Sequence, residues 1–129
     1  MAENLNVSTN STVEQTNIDM LISSFSHNPT DFDIARILYE IRRDTYSCKC
    51  FRPNIWINKT DSKVPVDTVK DDLIHELKTT VKNILSDYNN KLPLKSVEHK
   101  SIRKIIDKFS NDNYINRVIK EATELFYNN

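Results

Sequence analysis

The chain contains no glycine. Phosphate-cradling loops, the nucleotide P-loop and the dinucleotide fingerprint all need glycine, because the backbone must approach a ligand or turn through positive φ. All three are excluded at once. Turns that need positive φ fall to Asn and Asp, whose short polar side chains tolerate it. Such a chain suits helices packed side by side, without close approach of backbone to a ligand. Its 129 residues fit one domain with one modest core. Lys plus Arg number 18 and Asp plus Glu number 18, so the formal net charge is zero. A protein dedicated to coating phosphates carries a basic excess. A local basic face remains open.

The stretch from Asp31 to Asn58 organises the rest. Thr30 or Asp31 can cap a helix in which Ile34, Ile37, Leu38 and Ile41 form one apolar stripe. From Tyr46 the pattern alternates, and after Pro53 the run NIWIN is β-branched and aromatic, which reads as a short antiparallel hairpin. Residues 1–14 are polar, rich in Asn, Ser and Thr, and read as a disordered tail. A short helix is expected from Thr16 to Ser26. After the hairpin, Asp67 is expected to cap the longest helix, Thr68 to Asn89. Ser96 should cap a helix running to Phe109, and a last helix should run from Asn113 to Tyr127. The two C-terminal helices are expected to form a hairpin. The fold class is therefore mainly α with a little β (α+β): about five helices, one β-hairpin between the second and third, and a single domain over 15–129.

No paired carboxylates, Ser-His-Asp or Cys-His set, or metal-ligand spacing stands out, so no enzyme chemistry and no cofactor or metal is expected. His75 beside Glu76 has no second partner in the pattern. Cys48 and Cys50 are too close for an unstrained disulfide and lack further zinc ligands, so they read as ordinary buried or half-buried thiols. Trp56 reads as a core anchor, with an exposed stacking platform as the alternative. Candidate nucleic-acid contacts are Arg42 and Arg43 at a helix end, Lys49, Arg52 and Lys59 around the hairpin, and Arg103, Lys104 and Lys108 on the most basic helix face. The plainer reading of each is a helix-terminus complement or a solvated surface.

Three pieces of the sequence occur in a familiar order: IARILYEIRRDTYSCKC, the Trp strand NIWI, and IRKIIDKFSNDNYINRVIKEATELFYNN. The order resembles the region just upstream of the helicase ATPase in poxvirus-type primase–helicases of large DNA viruses, and in related phage and plasmid replication proteins. Leu38-Tyr39-Glu40, Trp56 and Leu125-Phe126-Tyr127 carry the likeness, which covers roughly Asp31 to the C-terminus. A second Trp and an arginine-bearing helix start, frequent in that family, are replaced by Lys63-Val64-Pro65 and Asp67-Thr68-Val69. No Walker A lysine loop and no primase carboxylate motif is present.

The resemblance implies a noncatalytic accessory module of a viral DNA-replication primase–helicase. Such a module is either cut from a larger protein or encoded alone. It contributes DNA contact, assembly with replication proteins, or self-assembly. The alternative is a standalone viral interaction protein that binds a host or viral protein without nucleic acid. The opening residues lack the basic and apolar regions of a signal peptide, and no apolar run is long enough for a membrane. An intracellular location in the host cell is expected, with the sequons at Asn6, Asn10 and Asn58 unglycosylated.

Overall fold

Val69, Leu73, Leu77, Val81 and Leu85 recur every fourth residue, and all are buried. Four residues overshoot one α-helical turn by about 40°, so a uniform helix would carry this stripe off the core within a few turns. The chain corrects the drift locally. The computed structural model describes residues 17–25, 27–51, 53–127 and 129. In it, the α-helical stretches Val66–Glu76 and Lys82–Asn90 are joined without a break by a looser π-helical turn, Leu77–Val81. The looser turn unwinds part of the overshoot. Thr79 Oγ1 donates to the His75 carbonyl at 2.7 Å within this region. We call the whole element α3 (66–90).

Among the described residues the fold is mainly helical, with five helices and a two-stranded antiparallel hairpin between the second and third. α1 (17–23) buries Ile18 and Ile22. α2 (Asp31–Arg42) begins in a full capping box: Thr30 Oγ1 accepts from the Asp33 amide, and the Asp33 carboxylate accepts from the Thr30 amide. The hairpin comprises β1 (Tyr46–Phe51) and β2 (Asn54–Asn58), with Cys48 opposite Trp56 and an irregularity between Cys48 and Phe51. α4 (Val97–Asp107) is capped by Ser96 and ends in a 3-10 turn, Lys108–Ser110. α5 (Asp112–Phe126) is capped by Asn111.

Two expectations are corrected. Asp67 does not cap α3. The helix begins at Val66 with Pro65 at the cap position and no side-chain cap bond, and Asp67 sits inside the first turn, where its charge still suits the dipole. The two C-terminal helices do not pack as a hairpin. α5 lies chiefly against α2, and α4 against the Lys82–Asn90 half of α3, so the 3-10 turn sends them to different neighbours. The expected tail, 1–14, lies outside the described residues.

The core gathers where α2, α5 and the hairpin meet. Phe126 is fully buried and makes edge-on contacts with Tyr39, at 5.2 Å between ring centroids, and with Trp56, at 5.4 Å. Trp56 is 3% exposed and serves as a core anchor. Beyond α5 the chain stays docked. Tyr127 bridges to Cys48 in parallel, and Asn129 receives the Tyr39 hydroxyl at 3.2 Å while its amide donates to the carbonyls of Arg43 and Tyr46. Tyr127 therefore bridges the β1 flank at Cys48, and β2 lies on the opposite side of β1.

Candidate functional site

The candidate cations divide between two places. Arg42, Arg43 and Lys59 meet at the C-terminal end of α2. The Arg42 guanidinium donates through Nε and Nη2 to Glu76 Oε2, at 2.9 and 2.8 Å, and through Nη1 to the Ile41 carbonyl. The Lys59 ammonium donates to the Arg43 carbonyl at 2.8 Å and so closes the end of the helix, where a cation is favoured. Arg43 and Lys49 have exposed side chains, and Arg52 lies outside the described residues. The remaining three, Arg103, Lys104 and Lys108, sit on or just after α4. Arg103 reaches Asp107 at 3.7 Å, and Lys108 Nζ lies 5.6 Å from the centroid of the Tyr114 ring, within cation–π range.

α3 keeps these groups apart. The hairpin packs on its Val66–Glu76 half and α4 on its Lys82–Asn90 half. At 1.5 Å per residue the midpoints of those halves are about 22 Å apart. The pattern of charge and period located the cations but could not reveal Glu76 as the partner of Arg42, since 34 residues separate them.

Two open grooves flank the hairpin and the end of α2. One, of about 340 Å³, holds Arg42 and Arg43 but also Glu40 and Asp44, so its charge is balanced. The other, of about 480 Å³, is lined by Asn54, Ile55, Trp56, Val66, Asp67 and Lys70. Successive strand residues point to opposite faces. A groove bordered by 54, 55 and 56 together therefore runs along the edge of β2, between that edge and the first turns of α3. Ile55 and Val66 are 39% and 50% exposed there. A small pocket among α1, α2, α3 and α4 measures about 10 Å³, room for one water at most.

The fold raises the pKa of three phenols. Burial, then the hydrogen bond to Glu98 and its charge, push Tyr88 up to about 12. Burial raises Tyr46, helped by the charges of Asp72 and Glu76 and opposed by Arg42. Burial also raises Tyr114, with Asp31 adding and Arg117 opposing. Each is driven away from neutral pH and held as a neutral phenol. Among the described residues, no cluster of three or more His, Cys, Asp or Glu side chains could hold a metal, and no helix is long and apolar enough to cross a membrane. No family model, curated protein or solved structure matches this chain.

Proposed function

We propose that this chain is a noncatalytic assembly module that works through protein contacts at the hairpin edge, in the replicative setting that its resemblance to viral primase–helicases implies. The observation that carries the reading is how the cations are used. Arg42 is held by Glu76, Lys59 closes α2 and Lys108 lies on Tyr114. Phosphate binding needs cations that can trade counterions for DNA. Here several are committed to the fold, whereas the strand NIWIN is uncharged and borders an open apolar groove.

A second reading, local phosphate contact, is favoured by one observation: Lys100, Arg103 and Lys104 are all exposed on α4. The two readings separate in a titration of labelled single- and double-stranded DNA against the full chain, at low and physiological salt. The assembly reading expects binding too weak to saturate at physiological salt. It also expects a photoreactive residue in place of Ile55 to crosslink to protein in the cell that produces the chain. Tight DNA binding that weakens steeply with salt and disappears in Arg42→Ala, Arg43→Ala would overturn it, as would crosslinks from position 55 to DNA alone.

A further inference from the structure

α4 folds back on the Lys82–Asn90 half of α3, and residues 91–96 join the two helices. The connection is held by its own hydrogen bonds. The Leu92 amide donates to the Asn89 carbonyl at 3.1 Å, and the Ser96 amide and hydroxyl both donate to the Pro93 carbonyl, at 3.0 and 2.8 Å. Leu94 and Lys95 therefore occupy the two central positions of a hydrogen-bonded β-turn. Polar residues, Gly and Pro dominate such turns. Here Leu94 is 79% exposed, the most exposed of the described large apolar side chains, and Val97, at the start of α4, is 63% exposed. We propose that this turn inserts into the surface of a membrane that carries anionic lipids, with the lysines beside it on the headgroups. The inference goes beyond the assembly reading and concerns the end of α3 away from the β-hairpin.

Charge is concentrated at the same end. The chain has zero net charge, yet residues 87–104 hold five cations, Lys91, Lys95, Lys100, Arg103 and Lys104, against two acids, Asp87 and Glu98. Glu98 accepts from the Tyr88 hydroxyl at 3.0 Å, Lys91 is paired with Asp19 at 3.1 Å, and Arg103 lies 3.7 Å from Asp107. Lys95, Lys100 and Lys104 are exposed, and among the described residues none of the three is held in an ion pair. At 3.6 residues per turn, Val97, Lys100 and Lys104 fall within an arc of about 60° on one face of α4. Lys100 lies about 4.5 Å and Lys104 about 10 Å from Val97 along the helix axis, so a surface that Val97 touches is within roughly one Debye length of both.

Leu94 and Val97 decide among anionic partners. A phosphate backbone satisfies the lysines but offers an exposed Leu no apolar contact. An anionic bilayer offers both, acyl chains to the apolar pair and headgroup charge to the lysines. The turn stands at the end of two packed helices, a placement that a flat interface admits. Its hydrogen bonds are formed before it meets a partner, so insertion orders little backbone. Strength follows from the parts. Two aliphatic side chains carry less apolar area than one myristoyl chain, which alone binds only marginally and reversibly. Each lysine near an anionic surface adds roughly fivefold. Binding therefore needs both signals, and is lost on neutral lipid or in high salt.

The test is co-sedimentation of the full chain with vesicles of phosphatidylcholine alone, and of phosphatidylcholine with about 30% phosphatidylserine, at low and physiological salt. The expected result is binding to the phosphatidylserine vesicles only, weakening as salt rises. Leu94→Ser should weaken that binding about tenfold while circular dichroism and melting temperature stay unchanged. Lys100→Gln with Lys104→Gln should weaken it about 25-fold. Depth is read with Leu94→Trp. Trp56 is buried, so the added indole should shift to the blue on the vesicles and be quenched by lipids brominated on the acyl chain. A chain that ignores phosphatidylserine vesicles at low salt, binding indifferent to Leu94→Ser, or an indole at position 94 that brominated lipid leaves unquenched would each overturn the proposal. So would a titration with double-stranded DNA in which Leu94→Ser weakens binding as much as Lys100→Gln, since position 94 would then serve nucleic acid. Vesicle binding and crosslinking from position 55 report on opposite ends of α3, so either reading can fail without the other.

Discussion

Arg42 decides whether the cations at the end of α2 serve the fold or a nucleic acid, and a double-mutant cycle with Glu76 measures the answer. The pair ties α2 to the middle of α3 through two donors on one carboxylate oxygen, with side chains 32% and 21% exposed. Exposed pairs contribute about 0–1 kcal/mol, and fully buried ones cost several kcal/mol when broken. This pair is half-buried and its bonds are charge-assisted, which places the coupling energy near 1 kcal/mol. Arg42→Ala, Glu76→Ala and the double variant should therefore be non-additive by about that amount in urea unfolding. Either single variant should melt about 4 °C lower. The same proteins are then titrated with double-stranded DNA. A phosphate contact by Arg42 would lower the slope of log K against log salt by roughly 0.9 on its removal. The structure expects no change in slope for Arg42→Ala. Coupling within about 0.3 kcal/mol of zero, together with a slope reduced by about one, would refute the structural assignment of Arg42.

Phe126→Ala removes the ring shared by Tyr39 and Trp56 and should cost about 4 kcal/mol, lowering the urea midpoint by about 2 M when followed by the single Trp. A midpoint shift under about 0.5 M would mean that this junction is not the centre of the core. Thr30→Ala deletes the capping box of α2 and should lower stability by about 1 kcal/mol, read by thermal melting, with Thr30→Ser retaining most of it. Tyr88 carries the pH prediction. Its folded pKa of about 12 lies above the ordinary 10.0, so the fold holds the phenol proton more tightly than the unfolded chain does. The associated stability is complete below pH 10 and is lost as pH rises from about 10 toward 12. Tyr88→Phe should flatten that alkaline limb, and tyrosinate absorbance should show one late-titrating phenol fewer.

Local chemistry made most of the fold legible in the sequence. Thr30 and Ser96 cap helices because their oxygens satisfy amides the helix leaves open, and that signal is contained in a few consecutive residues. The misreadings have the opposite character. Cap chemistry points to Asp67 for the start of α3, but Pro65, pre-set in φ and lacking an amide, already begins the helix at no cost in lost bonds. The short break at Ser110-Asn111-Asp112 favours a hairpin of the two C-terminal helices. Yet α5 presents a broad apolar face, and α2 together with the hairpin offers Phe126 more buried surface than α4 does. The strict four-residue spacing from Val69 to Leu85 did contain the signal for the π-helical turn, because no uniform α-helix keeps such a stripe on one face.

The surface was harder to read, since a charge in a sequence does not disclose its partner. Arg42 is indistinguishable from Arg43 until Glu76 arrives from a different helix. Once it does, the cation that seemed best placed for phosphate becomes a bracket between helices. Trp56 poses the reverse problem. Its indole can anchor a core or offer a stacking platform, and the strand pattern alone does not say which. Phe126, from the far end of the chain, decides it by meeting the ring edge-on at 5.4 Å and leaving Trp56 3% exposed. Substituting Tyr127, which bridges β1 at Cys48, should therefore act on β1 and the core beneath it, whereas substituting Ile55, 39% exposed, should leave the melting temperature nearly unchanged, and melting both variants separates the two flanks of the sheet.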